Sequence, residues 1–349
     1  MVSIVEILQP RLGLDRCLGV EQGVSTARDA LYRHYADRLI VNPALTRSLV
    51  SFQANKQAPF YRWFKYKEAF SSDLVHYVLD RYRPVGATAL RVLDPFAGAG
   101  TTLTTAATEG WRATGIELLP VGTSAMRARL IADVVDIGLF ERYLRELKRV
   151  PLPLATDDGF RFQHIRITER AFPPQTEADI SAYVAFLDSI DDEQVRYLFW
   201  FACLAVLEEV SYTRKDGQYL RWDSRSGRRL RARFDKGPLP SLQTAVTRQL
   251  HAMLEDIQRR NGGTVSRNVD VIEGSCLAEL PRLPDRAFDL ILTSPPYCNR
   301  YDYSRTYALE LAFMGYGEED VKRFRQTLLS ATVENRTKRD QLAVQYAAR

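Results

Sequence analysis

The sequence predicts an α/β protein: a doubly wound parallel sheet with helices on both faces, interrupted by a long, mainly helical insert. Three stretches carry that prediction. The apolar run Leu90-Arg91-Val92-Leu93 leads into Asp94-Pro95-Phe96-Ala97-Gly98-Ala99-Gly100 and then into Thr101-Thr102-Leu103, which reads as strand, glycine loop and helix start. A second strand, Trp111-Arg112-Ala113-Thr114-Gly115-Ile116, ends in Glu117. A third apolar run, Phe288-Asp289-Leu290-Ile291-Leu292, ends in Thr293-Ser294-Pro295-Pro296-Tyr297.

The glycine loop predicts a ligand. Gly98 and Gly100 lack a Cβ, so the backbone there can turn sharply and approach a bound group closely. The helix that starts at Thr101 offers free N–H groups to a carboxylate or a polar edge. In sheets of this kind ligands bind at the strand C-termini, and a carboxylate ending the next strand takes the ribose hydroxyls. Glu117 stands where that carboxylate is expected. The spacing FxGxG, in place of a pyrophosphate-binding GxGxxG, favours S-adenosylmethionine over a dinucleotide.

The second loop predicts chemistry on an exocyclic amine, whose lone pair is delocalised into its ring and therefore nucleophilically weak. Such a nitrogen needs acceptors for its N–H groups and a fixed position in line with a methyl donor, which is positioning plus electrostatic preorganisation. Ser294 Oγ and the main-chain carbonyl of Pro295 are the expected acceptors. Pro295 and Pro296 stiffen the loop and leave no competing N–H. Tyr297 is expected to stack on a base that has left the duplex.

Together the two motifs resemble the amino-methylating DNA methyltransferases, whose signatures are an FxGxG cofactor loop and a (D/N/S)PP(Y/F) catalytic loop. The Ser in first position is similar to the cytosine-N4 branch, to which adenine-N6 enzymes are related. The resemblance implies a Rossmann-like methyltransferase sheet, S-adenosylmethionine as cofactor and double-stranded DNA as substrate. It implies cofactor contacts for Asp94, Pro95, Phe96, Gly98, Gly100 and Thr101, with Phe96 near the methionine part. It extends them to Phe70 and Ser71 in the aromatic segment that precedes the glycine loop. Ser275, after Gly274, stands where family members often carry an acid that reads the adenine amino group; a hydroxyl can still accept a hydrogen bond there. Cys298 is separated from Pro296 by Tyr297, so it reads as a wall residue rather than the nucleophile of a carbon-5 enzyme.

One departure is at the far end. Residues 318–348 read as polar helix, with no apolar strand after the catalytic loop, whereas a complete sheet of this family needs about three more. The expectation is one part of a split enzyme, a truncated chain, or a sheet completed by a partner subunit.

Composition is compatible with this reading. The chain has 349 residues, 46% hydrophobic and 26% charged, enough for two cores. No uninterrupted apolar run is long enough for a membrane span, and the start is not a secretory signal, so no membrane partner is expected. Four scattered cysteines and four scattered histidines suggest neither zinc nor disulfides, which fits a reducing cytoplasm. The net charge of +5 is concentrated: between Ser211 and Lys236 nine basic residues face three acidic ones. Arg214, Lys215, Arg221, Arg225, Arg228, Arg229, Arg231 and Arg233, with Trp222 among them, are the expected DNA contacts.

Four regions are expected: a helical extension at 1–57, the cofactor half at 58–130, a DNA-recognition insert at 131–268, and the catalytic half at 269–349. The leading reading is cytosine-N4 methylation for restriction–modification or phage defence. Adenine-N6 methylation is the nearest rival, RNA-base methylation is third, and a subunit that binds DNA without turnover is the reading from another class.

Overall fold

The computed structural model describes residues 5–7, 27–149, 152, 159–216, 219–228, 234–260, 262–296, 302–329 and 344. Strand β1 (Val5–Ile7) and strand β2 (Leu39–Val41) pair in parallel, with helix α1 (Ala27–Tyr35) between them in the chain. Helix α2 (Ser72–Tyr82) follows and buries Val75 and Leu79.

The central unit then runs β3 (Arg91–Asp94), α3 (Thr101–Thr108), β4 (Arg112–Glu117) and α4 (Pro120–Ala132). Proline opens α4, where its missing N–H costs nothing and its φ is already helical. The insert supplies α5 (Ile137–Arg149), α6 (Pro174–Leu187) and α7 (Glu193–Val210). It continues with the antiparallel hairpin β5 (Thr213–Asp216) and β6 (Tyr219–Trp222), then α8 (Leu242–Gln258). The caps are those the sequence offers: Asp192 accepts from Val195 N at 2.8 Å and Ser241 from Thr244 N at 3.2 Å. The chain then returns through β7 (Val269–Glu273), the short α9 (Cys276–Glu279) and β8 (Leu290–Ile291). Helices α10 (Tyr303–Thr306), α11 (Ala308–Phe313) and α12 (Glu318–Thr327) close it.

The four-stranded sheet has the order β7-β4-β3-β8, and every pairing is parallel. Val92 and Ala113 pack with α2 and α3, and parallel strands enclosed in this way read as short apolar runs. Chain order and strand order differ, so the ends of β3 and β8 become neighbours although the insert separates them in sequence. Among the described residues β8 is an edge strand, and Ile291 is 62% exposed there.

The insert is not walled off from the sheet. One apolar cluster takes in Trp63, Phe64 and Tyr66, then α4, the insert helices and Tyr307 to Phe313. Asp256 of α8 reinforces the join: its carboxylate accepts from Phe60 N, Trp63 Nε1 and the Arg62 guanidinium. The stretch Val195–Val210, rich in apolar residues yet carrying charges, is the buried helix α7. Among the described residues no helix is long and apolar enough to cross a membrane.

Candidate active site

β3 ends at Asp94 and the chain turns over Pro95–Ala97. Gly98 and Gly100 both sit at positive φ, +54° and +79°. At Gly100 the restriction is also steric, because a Cβ would lie 2.4 Å from Met126 Cγ. Gly100 therefore shapes the loop and caps α3, but it does not line the cleft.

Asp94 is only 1% exposed and is fully engaged. Its Oδ2 accepts from Thr102 Oγ1 at 2.6 Å; its Oδ1 accepts from Phe96 N at 3.1 Å and from Thr293 Oγ1 at 2.7 Å. Burial pushes its carboxyl above the ordinary range, and these donors pull the other way. Its bonds therefore tie the glycine loop to the Ser-Pro-Pro loop.

Glu117 ends β4, 9% exposed. Its Oε2 accepts from Gly98 N and its Oε1 from Leu119 N, each at 2.7 Å. Desolvation raises its pKa to about 7, with the two backbone N–H groups opposing and nearby Asp94 adding a little. A carboxylate has about four lone-pair sites, so both oxygens keep acceptor capacity for a ligand.

These groups open into a cleft with about 790 Å³ of space between its walls, open solvent included. Phe70, Phe96, Gly98, Thr101, Ser275, Ser294 and Pro296 line it together with Asp94, Pro95 and Glu117. The sequence assignments are thus gathered from five separate segments. Three carboxylates, Glu68, Asp94 and Glu117, line the cleft, and no lysine or arginine does so among the described residues.

Besides Gly100, two further assignments around the cleft differ from expectation. Ser71 is fully buried away from the cleft: its hydroxyl donates to the Leu49 carbonyl and accepts from Leu74 N at 3.1 Å, as the N-cap of α2. A serine before an amphipathic helix serves that helix first. Pro295 is exposed and stands outside the lining, although Ser294 and Pro296 belong to it. Tyr297 and Cys298 lie outside the described residues.

The site assignments omitted Tyr66, Glu68 and the stretch Thr327–Leu329, all of which line the cleft. Glu68 carried one signal, as the single acid in the aromatic run before α2. Thr327–Leu329 carried none, since helix packing alone brings them there.

The basic segment is partly a hairpin, and strand alternation sorts its side chains. Arg214 and Arg221 pair in register on the exposed side, Arg221 with Asp216 at 3.2 Å. Lys215 and Trp222 point inward, which removes both from the expected DNA-facing set. Lys215 is 2% exposed, and its ammonium lies against Glu310, with Glu208 at 3.9 Å and the Tyr307 ring centroid at 4.5 Å. Arg225 forms a fork with Asp223, holding that carboxyl well below the usual range. Arg228 stacks over Trp222 at 4.0 Å. Arg229, Arg231 and Arg233 lie outside the described residues. Among the described residues no cluster of His, Cys, Asp or Glu could hold a metal ion.

Comparison with known proteins gives a consistent picture. The chain is 43% identical over 327 residues to the Type II methyltransferase M.AvaI of Nostoc sp., and equally to the protein of that name from Anabaena variabilis. Each match covers 91% of this chain and 67% of the relative. It is 37% identical over 318 residues to the Type II methyltransferase M.BsoBI of Geobacillus stearothermophilus, covering 86% of this chain and 61% of that one. No family model and no solved structure matches. At that identity and coverage, the chain belongs to the Type II methyltransferases.

Proposed function

We propose that this chain is a DNA methyltransferase of a restriction–modification system, using S-adenosylmethionine to methylate the exocyclic N4 of a cytosine flipped out of the duplex. The observation that carries the reading is the convergence of both loops on a cleft lined by three carboxylates and no basic side chain. Such a lining repels a pyrophosphate and suits a cationic ligand. The matched relatives, named as Type II methyltransferases, support the DNA substrate and the restriction–modification setting.

When bound, the cofactor supplies an electrophilic methyl group. Glu117 would accept from the ribose hydroxyls, Ser275 from the adenine edge, and Phe96 and Phe70 would pack against the remainder. Gly98 leaves room for that approach; Asp94, through Thr102 and Thr293, keeps the two loops in register. Ser294 Oγ would accept from an amine N–H group, and Tyr297 would stack on the extruded base. A serine hydroxyl is a poor base, so the amine proton leaves to water once the methyl group has moved.

Arg214, Arg221, Arg225 and Arg228, with Arg229, Arg231 and Arg233, would meet the phosphates. Lys215 and Trp222 would act beneath that surface, as support. The exposed Ile291 on edge strand β8 favours a further polypeptide, from the same protein or a partner subunit, that continues the sheet.

The test is transfer from isotope-labelled S-adenosylmethionine to mixed-sequence duplex DNA, followed by digestion to nucleosides and mass spectrometry. Labelled N4-methylcytosine is expected. Labelled N6-methyladenine would move the assignment to adenine, and absence of label with protein that binds S-adenosylhomocysteine would remove the catalytic reading.

A further inference from the structure

Glu68, one of the three carboxylates that line the cleft, has an oxygen with no hydrogen-bond donor among the described residues. Glu68 Oε2 accepts from the Tyr307 hydroxyl at 2.5 Å, while Glu68 Oε1 is buried and has no hydrogen-bond partner. The other two carboxylates of the cleft differ: both oxygens of Asp94 and both of Glu117 already accept from protein donors. A buried carboxylate oxygen without a donor is costly, so such an atom marks a place where a ligand supplies one.

Glu68 is also held firmly. Tyr307 is fully buried, its ring stacks on Tyr66 at 5.0 Å and 11°, and its hydroxyl oxygen accepts from Lys67 N at 3.3 Å. With that lone pair used, the hydroxyl proton is directed at Glu68. The Lys215 ammonium lies over the same ring, 4.5 Å from its centroid. A side chain braced in this manner presents its free oxygen at a defined point rather than sweeping the cleft.

We propose that Glu68 is the acceptor for the α-ammonium group on the methionine part of the cofactor; this rests on the reading of the cleft as an S-adenosylmethionine site. The ammonium is a compact cation with three donors, and a charge-assisted bond to Oε1 would satisfy the orphaned atom. Tyr307 is then a positioning residue, acting through Glu68 without touching the cofactor.

The experiment is calorimetric binding of S-adenosylhomocysteine and of its desamino analogue to wild-type protein, Glu68→Gln and Tyr307→Phe, with thermal melts as a folding control. Wild type should prefer S-adenosylhomocysteine by roughly tenfold or more. Glu68→Gln, which keeps an acceptor for Tyr307, should lose that preference while binding the desamino analogue as wild type does. Tyr307→Phe should reduce the preference in part, which also serves as the test should the first variant fail to fold. An unchanged preference in a folded Glu68→Gln, or equal weakening of both ligands, would overturn the assignment and leave the cofactor reading intact. Wild type binding neither ligand would overturn both.

Discussion

Thr293 Oγ1 donates to Asp94 Oδ1 at 2.7 Å, joining residues 199 apart in sequence. Asp94 ends β3 and Thr293 follows β8, so this bond sets the Ser294 hydroxyl relative to the glycine loop. Parallel pairing of Val92 with Leu290 and of Leu93 with Ile291 brings the two ends together, and the hydroxyl–carboxylate bond locks them.

Thr293→Val should therefore lower turnover more than cofactor affinity. The exchange keeps the shape and leaves a buried carboxylate short of one donor, which costs about 1–3 kcal/mol, or roughly one to two powers of ten in kcat. Steady-state kinetics beside equilibrium binding of S-adenosylhomocysteine would separate the two. Equal loss in both would mean that the bond merely supports the fold.

Cofactor affinity should depend on pH through Glu117, whose pKa burial raises to about 7. The ionised form accepts ribose hydroxyls fully, so affinity should rise between about pH 6 and pH 8 and level off above, with proton release on binding in that window. Calorimetry in buffers of different ionisation enthalpy would detect the released proton. For folding the sign is opposite: this group's contribution is greatest below its ordinary 4.5 and is lost as pH rises through about 7.

Gly100→Ala should destabilise the protein by about 1–3 kcal/mol, from overpacking against Met126 and from the positive φ. A denaturant midpoint equal to that of wild type would contradict the tight contact.

Arg228→Ala and Arg214→Ala should each lower the slope of log affinity for DNA against log salt by about one, as expected for one lost phosphate contact. Lys215→Met should leave the slope unchanged while costing about 3–5 kcal/mol of stability, since it strands the buried Glu310 without its cation, whereas Glu208 keeps Lys65. A reduced slope in a folded Lys215→Met would return that lysine to the DNA surface.

The strands at β3, β4 and β7, the two loops, the buried helix α7 and ten of the residues that line the cleft were legible in the sequence, because each is written in a local pattern. Apolar runs, glycine at positive φ and proline pairs express short-range sterics, which neighbours in the chain decide. Ser71 shows where that reading fails. Its neighbourhood suited both a cofactor and a helix cap, and only the packed position of α2 chose the cap. Lys215 shows the same on a strand, where composition counted a cation and hairpin alternation turned it inward. The Asp94–Thr293 bond and the Glu68–Tyr307 pair join residues 199 and 239 apart. Only the tertiary structure decided these, because such contacts depend on which strands lie side by side and on what the helices bury beneath them.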